Sequence, residues 1–176
     1  WPYVAPAPYN DMYGPDDVVP VSRSDAEIDD PNPVLKEFQS KRLSKVFTRD
    51  GVRETVIPTY MGLITQIDDE IGRLMAHLED LGQLDETFIV FTSDHGDYLG
   101  DHWLGEKELF HDASSRVPMI LVDPRKEANE TRGSVSDALV ESIDLAPTFV
   151  EVAGGTPRSE ILEGHSLIGH LHGTEV

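Results

Sequence analysis

The stretch Thr87-Phe88-Ile89-Val90-Phe91-Thr92-Ser93-Asp94-His95-Gly96-Asp97 decides how the rest of the chain is interpreted. Residues 87–92 are β-branched or aromatic and do not alternate with charged ones, a pattern typical of a central strand covered on both faces. Ligands of open α/β sheets bind beyond the carboxyl ends of strands. A carboxylate beside an imidazole at that place can offer oxygen and nitrogen to one divalent cation. Asp94 and His95 are therefore candidate metal ligands, and Gly96 lets the backbone turn sharply after them.

The elements around this strand predict an α/β layer. Residues 59–81 carry apolar side chains at helical spacing, with Pro58 just before and Gly82 just after, so they predict a helix. A short helix is also expected after Pro33. Further strands are expected at 117–122 and at about 135–140, which is too few for a complete large sheet.

A third helix is predicted at 144–153. Asp144 is the expected N-cap, Pro147 falls in the first turn, and Gly154 with Gly155 ends the helix.

The connection from Gly96 to Pro118 is long and polar, and long connections inside compact domains are usually functional. Lys107 is a compact cation that can hold an anionic oxygen near a metal. His111 can serve as a second anion contact or as a proton donor. Each residue also has a plain alternative: an Asp-His pair that caps and faces solvent, a surface lysine, and a hydrogen-bonded loop histidine. The concentration of reactive side chains on this one loop favours the site.

Composition and charge bound the function. The net charge of −19 disfavours binding to nucleic acid through a general basic face. The absence of cysteine excludes a disulfide framework and a thiolate metal site. The sequence has no apolar run long enough for a membrane span, and cytoplasmic and periplasmic locations both stay open. The Pro-rich residues 1–33 predict an extended arm of the same domain. Such an arm is compatible with folding over the missing half of the domain or with subunit exchange in a homo-oligomer.

Three stretches carry a resemblance to a known family. They are Phe91-Thr92-Ser93-Asp94-His95-Gly96-Asp97-Tyr98-Leu99-Gly100, Gly105-Glu106-Lys107-Glu108-Leu109-Phe110-His111 and Ser115-Arg116-Val117-Pro118. Together they resemble the sulfatase family of the alkaline phosphatase superfamily, closest to its phosphonate monoester hydrolase and arylsulfatase branch. The stretches Ile143-Asp144-Leu145-Ala146-Pro147-Thr148 and Glu163-Gly164-His165-Ser166-Leu167 also look like landmarks of that family.

The resemblance implies an alkaline-phosphatase-like sandwich, a central and mostly parallel sheet flanked by helices, of which residues 34–176 form the C-terminal part. It implies that Asp94 and His95 bind one divalent metal ion (calcium, manganese or zinc) and that Lys107 contacts the oxygens of a small anionic ester. His111 lies in the same motif, without a role implied by the family. The family's nucleophile is a formylglycine made from Cys or Ser in a Cys/Ser-x-Pro-x-Arg motif, which this chain lacks. The chain is therefore expected to be a fragment that is inactive alone.

Two other classes are open at this stage. One is a different hydrolase of the superfamily, such as a nucleotide pyrophosphatase, phosphodiesterase or phosphomutase, which also carries Asp-His-Gly after a strand. The stretch Gly105-Glu106-Lys107 with its following Leu-Phe-His argues against this class. The other is a non-catalytic binding module in which Asp94 and His95 are adjacent by chance.

Overall fold

The computed structural model describes residues 2–174, which form one long helix, several short helices and a pair of strands. The helices are α1 (Ala26–Asp29), α2 (Pro33–Ser40), α3 (Arg42–Val46), α4 (Val52–Asp80), α5 (Asp112–Ser115), α6 (Leu145–Val152) and α7 (Ile168–Leu171). The strands are β1 (Ile89–Thr92) and β2 (Met119–Val122). Short 3₁₀ turns lie at Tyr9–Asp11, Pro15–Asp17, Leu84–Glu86, Asp101–Trp103, Lys126–Thr131 and Ser142–Asp144.

Two compact units make up the chain. The first contains the residues up to His77 together with His95–Val117, and the second contains Leu78–Asp94 and the residues from Pro118 onward. The predicted pair Asp94-His95 therefore falls where the chain passes from one unit to the other. The division of the chain at residue 33 stays a prediction.

Helix α4 is longer than the sequence predicts. It begins at Val52 instead of residue 59, so Pro58 lies inside the helix and is buried. A proline there removes one backbone hydrogen bond, but Ile57 beside it is also buried, and this packing keeps the preceding turn helical. The C-terminal end agrees with the prediction, because Gly82 follows the helix with φ 65°.

The N-terminal arm lies along α4 in the first unit. The Tyr9 hydroxyl donates to the Asp69 carboxylate at 2.8 Å, and the hydroxyls of Tyr13 and Thr65 are 2.7 Å apart. Gly62 makes this approach possible, since a Cβ there would lie 2.1 Å from the Tyr9 carbonyl oxygen. The small residue on α4 therefore sets where the arm can dock.

The core of the first unit joins helix α2 to the loop that follows His95. Leu35, Tyr98 and Leu104 are buried together. Phe38, Leu109 and Ala113 pack against them. The loop is thus held by apolar packing as well as by hydrogen bonds.

Strands β1 and β2 pair antiparallel in the second unit, with Val90 opposite Leu121 and Phe91 opposite Ile120. Antiparallel pairs occur at the margins of otherwise parallel sheets. The expectation that residues 87–92 are covered on both faces is not met within residues 2–174, because Phe91 is 39% exposed.

The strand expected at 135–140 is absent. These residues have no regular structure, and Val135 and Leu139 are almost completely exposed. Alternating apolar residues form a strand only where a neighbouring backbone satisfies their N–H and C=O groups, and the two described strands pair with each other and not with these residues.

The predicted helix at 144–153 is present as α6, with Pro147 in its first turn and Gly154 after its end. Asp144, however, does not cap this helix with its side chain. Its carboxylate accepts from the backbone N–H groups of Glu141 and His165, each at 2.8 Å. The Thr148 hydroxyl accepts from Leu167 N–H at 2.8 Å. These contacts join the two late family stretches to each other, so their role in this unit is structural.

Candidate functional site

The His95 ring makes a hydrogen bond to the backbone of the next residue. Its Nδ1 lies 2.8 Å from the Gly96 carbonyl oxygen. Since a carbonyl oxygen only accepts, Nδ1 donates in this contact, so Nε2 is the ring nitrogen that could coordinate a metal ion. Metal-bound histidines commonly have this arrangement, in which the second nitrogen donates to a backbone carbonyl. The donor chemistry of His95 therefore fits the predicted role.

Asp94 directly precedes His95 and is separated from the end of β1 by Ser93. It is exposed to solvent. Within residues 2–174, no group of three or more His, Asp or Glu side chains converges as a metal site. The chain thus supplies a carboxylate and an imidazole in sequence, which fit part of a coordination shell. Their ligand role remains a prediction.

Gly96 fixes the start of the loop. Its N–H donates to the Ser114 carbonyl at 2.7 Å, and a Cβ at this position would lie 2.1 Å from the Ala113 carbonyl oxygen. A side chain at residue 96 would therefore push the segment after His95 away from α5. This close approach explains why glycine follows the pair.

The loop is folded back on itself under backbone strain. Tyr98 N–H donates to the Glu106 carbonyl at 2.8 Å, and Gly100 N–H donates to the Leu104 carbonyl at 2.9 Å. Positive φ angles occur at the non-glycine residues Leu99, His102, Trp103 and Glu106. Such conformations are costly and concentrate at functional sites, where the surrounding structure enforces them.

Contacts with the N-terminal arm hold the strained residues His102 and Trp103 in place. His102 N–H donates to the Ser22 carbonyl at 2.8 Å, and the Trp103 indole N–H donates to the Ser24 carbonyl at 2.8 Å. The Arg23 guanidinium lies over the Trp103 ring at 3.8 Å. The arm therefore holds the strained turn of the loop from outside.

Lys107 combines a fixed backbone with an exposed side chain. The buried Ser114 hydroxyl donates to the Lys107 carbonyl oxygen at 2.6 Å. Through residues 2–174, no carboxylate forms an ion pair with the Lys107 ammonium group. Its charge is thus not neutralised by the part of the chain that the structure describes.

His111 has a partner on each side. Its Nδ1 lies 2.9 Å from the hydroxyl of buried Tyr98, and its ring stacks on His102 with centroids 3.9 Å apart. His102 in turn bonds through Nδ1 to the Glu27 carboxylate at 2.6 Å. Burial and the neighbouring His102 lower the pKa of His111 from its ordinary value.

Three of the four predicted residues lie in the first unit, on one loop that is held by internal hydrogen bonds: His95, Lys107 and His111. The structure adds two residues that sequence analysis assigned no role. Tyr98 was visible as one polar member of a crowded loop. Glu27 gave no signal, because it is 75 residues from His102 in sequence.

Comparison with known proteins identifies the family. The sulfatase family model matches residues 9–155, and the chain belongs to the sulfatase family. It is similar to the multifunctional alkaline phosphatase superfamily protein PehA of Trinickia caryophylli, with 38% identity over 184 residues covering 97% of this chain and 35% of the relative. It is also similar to the N-acetylglucosamine-6-O-sulfatase of Bacteroides thetaiotaomicron, with 39% identity over 108 residues covering 61% of this chain and 19% of the relative.

Among solved structures, the phosphonate monoester hydrolase SpPMH from Silicibacter pomeroyi aligns with a TM-score of 0.85 at 35% identity, covering 98% of this chain and 35% of that one. The fold is therefore part of an alkaline-phosphatase-like fold, as the resemblance predicted. The chain spans about a third of the length of PehA and SpPMH.

Proposed function

We propose that the protein containing this chain hydrolyses sulfate or phosphonate monoesters with the help of a divalent metal ion. The observation that carries the proposal is the sulfatase family match over residues 9–155, which includes the Asp94-His95 pair after β1. Relatives named as sulfatases and phosphonate monoester hydrolases support both ester classes. No helix in the described chain is both long and apolar enough to cross a membrane.

Asp94 and His95 would supply one oxygen and one nitrogen ligand to the metal ion. Calcium, manganese and zinc all accept such ligands to differing degrees. When bound, the ion polarises a non-bridging oxygen of the ester. The other ligands, and the formylglycine nucleophile typical of the family, would come from outside this chain, which has no cysteine.

Lys107 and His111 would act on the substrate directly. The exposed ammonium group of Lys107 provides fixed positive charge, which stabilises the negative charge that develops on the ester oxygens in the transition state. Ser114 holds the Lys107 backbone, so the point from which the lysine side chain extends is fixed. His111 would be the second side chain of this loop to contact the anion.

Replacement of Asp94 tests the proposal. In the full-length protein, Asp94→Ala should lose bound metal and nearly all ester hydrolysis, because the shell loses its carboxylate from this loop. Metal content is measured by elemental analysis after dialysis, and turnover with 4-nitrophenyl sulfate and with a phenylphosphonate monoester.

The matched control is Asp85→Ala, which removes an exposed acid that precedes the same strand. It should keep metal and turnover. Wild-type metal content in Asp94→Ala would contradict the ligand assignment, and a full-length protein that hydrolyses neither ester would contradict the proposed function.

A further inference from the structure

Ser114 lies where separate parts of the loop meet, and it is 4% exposed. Its backbone carbonyl accepts from Gly96 N–H at 2.7 Å, and its own N–H donates to the His111 carbonyl at 2.9 Å. Its hydroxyl lies 2.6 Å from the Lys107 carbonyl oxygen. One buried residue therefore bonds both to the segment that follows His95 and to the backbone of Lys107.

The direction of the hydroxyl bond follows from its acceptor. A carbonyl oxygen carries no proton, so Ser114 O–H donates and the Lys107 carbonyl accepts. A buried hydrogen bond does not compete with water and is stronger than the same bond at the surface. The Ser114 side chain thus restrains the Lys107 carbonyl.

The backbone of Lys107 depends on such contacts, because it belongs to no helix or strand of residues 2–174. Glu106 before it has a φ of 64°, a costly conformation for a residue with a side chain. The Glu106 carbonyl accepts from Tyr98 N–H at 2.8 Å, and the next carbonyl along the chain accepts from Ser114. The Cα of Lys107 lies between these two carbonyls, so the base of its side chain is held from both sides.

Ser114 is also fixed relative to His95. Gly96, the next residue after His95, packs so closely on α5 that a Cβ there would lie 2.1 Å from the Ala113 carbonyl oxygen. The bond from Gly96 N–H to Ser114 closes this contact. The distance between the backbones of His95 and Lys107 is therefore set through Ser114.

We propose that Ser114 is a positioning residue whose hydroxyl fixes Lys107 relative to His95, so that the lysine charge meets an anionic ester bound at the metal ion. The inference rests on the proposed function and names the group that places its cation. A fixed charge stabilises a transition state only when it is held where the negative charge develops. Ser114 acts through Lys107 and does not touch the ester itself.

Ser114→Ala tests the proposal, because it removes the hydroxyl and keeps the backbone bonds to Gly96 and His111. In the full-length protein it should lower kcat/KM for 4-nitrophenyl sulfate and a phenylphosphonate monoester by about tenfold, less than the roughly 10²-fold that a 1 Å misplacement can cost. The metal content, measured by elemental analysis, should stay at the wild-type level.

A double-mutant cycle shows whether the loss passes through Lys107. In a Lys107→Ala background, Ser114→Ala should change kcat/KM by less than about twofold, because the charge that Ser114 places is already gone. If Ser114→Ala does not fold, the cycle is measured with Ser114→Cys, whose thiol is of similar size but is only a weak donor.

Thr148→Val is the matched control for lost stability. The Thr148 hydroxyl is also buried and also donates to a backbone carbonyl at 2.6 Å, that of Asp144 in the second unit. This variant should lower the melting temperature and keep wild-type kcat/KM. An equal loss of kcat/KM in Thr148→Val and Ser114→Ala would show that stability alone explains the effect and would overturn the proposal.

Wild-type kcat/KM in Ser114→Ala, or the same loss with and without Lys107, would also overturn it. If Lys107→Ala itself keeps wild-type turnover, the inference fails while Asp94→Ala still judges the proposed function. If the wild-type protein hydrolyses neither ester, both fail together.

Discussion

At the scale of single residues, the backbone of Lys107 is held by Ser114, whereas its side chain is exposed to solvent. If its charge stabilises the transition state, Lys107→Ala in the full-length protein should lower kcat/KM for the anionic esters by about 10²–10³-fold, as for the loss of one oxyanion-stabilising group. The metal content should stay at the wild-type level, because lysine is not a ligand. Steady-state kinetics and elemental analysis measure the two quantities.

The control for Lys107 is Lys45→Ala, which removes another exposed lysine of the first unit and should change neither quantity. Equal kinetics of Lys107→Ala and the wild-type protein would remove Lys107 from the site. Loss of metal in this variant would instead indicate a structural role for the residue.

Candidate site residues can be predicted from sequence where their chemistry and their order in the chain coincide. Asp94, His95, Lys107 and His111 are near one another in sequence and follow one strand, so a pattern can indicate them. The contact of Glu27 with His102 depends on the arm folding back over the loop, and the contact of the Tyr98 hydroxyl with His111 depends on the loop folding back on itself. Neither arrangement leaves a periodic or spaced signal in the sequence.

At the scale of elements, the arm can pack closely on helix α4 because one residue of the helix at the contact, Gly62, has no side chain. A Cβ at Gly62 would lie 2.1 Å from the Tyr9 carbonyl oxygen, whereas a Cβ at Gly72 of the same helix meets nothing within 4 Å. Gly62→Ala should therefore displace the arm, lower the melting temperature and make the arm more sensitive to protease. Differential scanning calorimetry and limited proteolysis of the full-length protein measure these effects.

Gly72→Ala is the matched variant, because alanine is a better helix former than glycine by about 1 kcal/mol. It should raise the melting temperature, by about 2–4 °C if only residues 1–176 unfold together. The same rise in both variants would show that the arm does not dock on α4 through Gly62.

The elements also show how far a pattern can predict structure. The spacing of apolar residues and the positions of glycine and proline predict both strands, α6 and the part of α4 from residue 59 onward. The extension of α4 through Pro58 and the absence of a strand at 135–140 are not predicted in this way, because tertiary packing decides the first and a neighbouring strand is needed for the second.

At the scale of the whole molecule, apolar surface and acidic charge occur together. Ile64, Ile67 and Leu74 on α4 and Ile120 on β2 are each more than half exposed, while the chain carries a net charge of −19. Such charge destabilises a compact chain by self-repulsion, and acid relieves it as carboxylates become protonated. Once the carboxylates are protonated, the 14 Lys and Arg residues and the 7 His residues leave a positive net charge. A carboxylate that the fold uses as an anion loses its own stabilising contribution in the same pH range, and a matched variant separates the two effects.

Asp123 is such a carboxylate. Its buried side chain bonds to the Arg125 guanidinium, with one contact at 2.6 Å, and lies 3.0 Å from His172 Nε2. Burial alone would raise the pKa of Asp123, but the bonds from Arg125 and His172 lower it to about 2. Because the folded-state pKa is lowered, the ionised carboxylate stabilises the fold above the ordinary pKa of 3.8, and this contribution is lost as the pH falls from there to about 2.

Asp123→Asn should therefore be less stable than the wild-type protein at neutral pH, and the difference should shrink by about 2 kcal/mol between pH 4 and pH 2, since one pKa unit corresponds to about 1.4 kcal/mol. Urea unfolding followed by circular dichroism across this range measures the free energy of unfolding for both proteins. Asp137→Asn, at an exposed position of the same unit, should show a constant and small difference. A difference between Asp123→Asn and the wild-type protein that does not change with pH would show that Asp123 does not stabilise the fold as an anion.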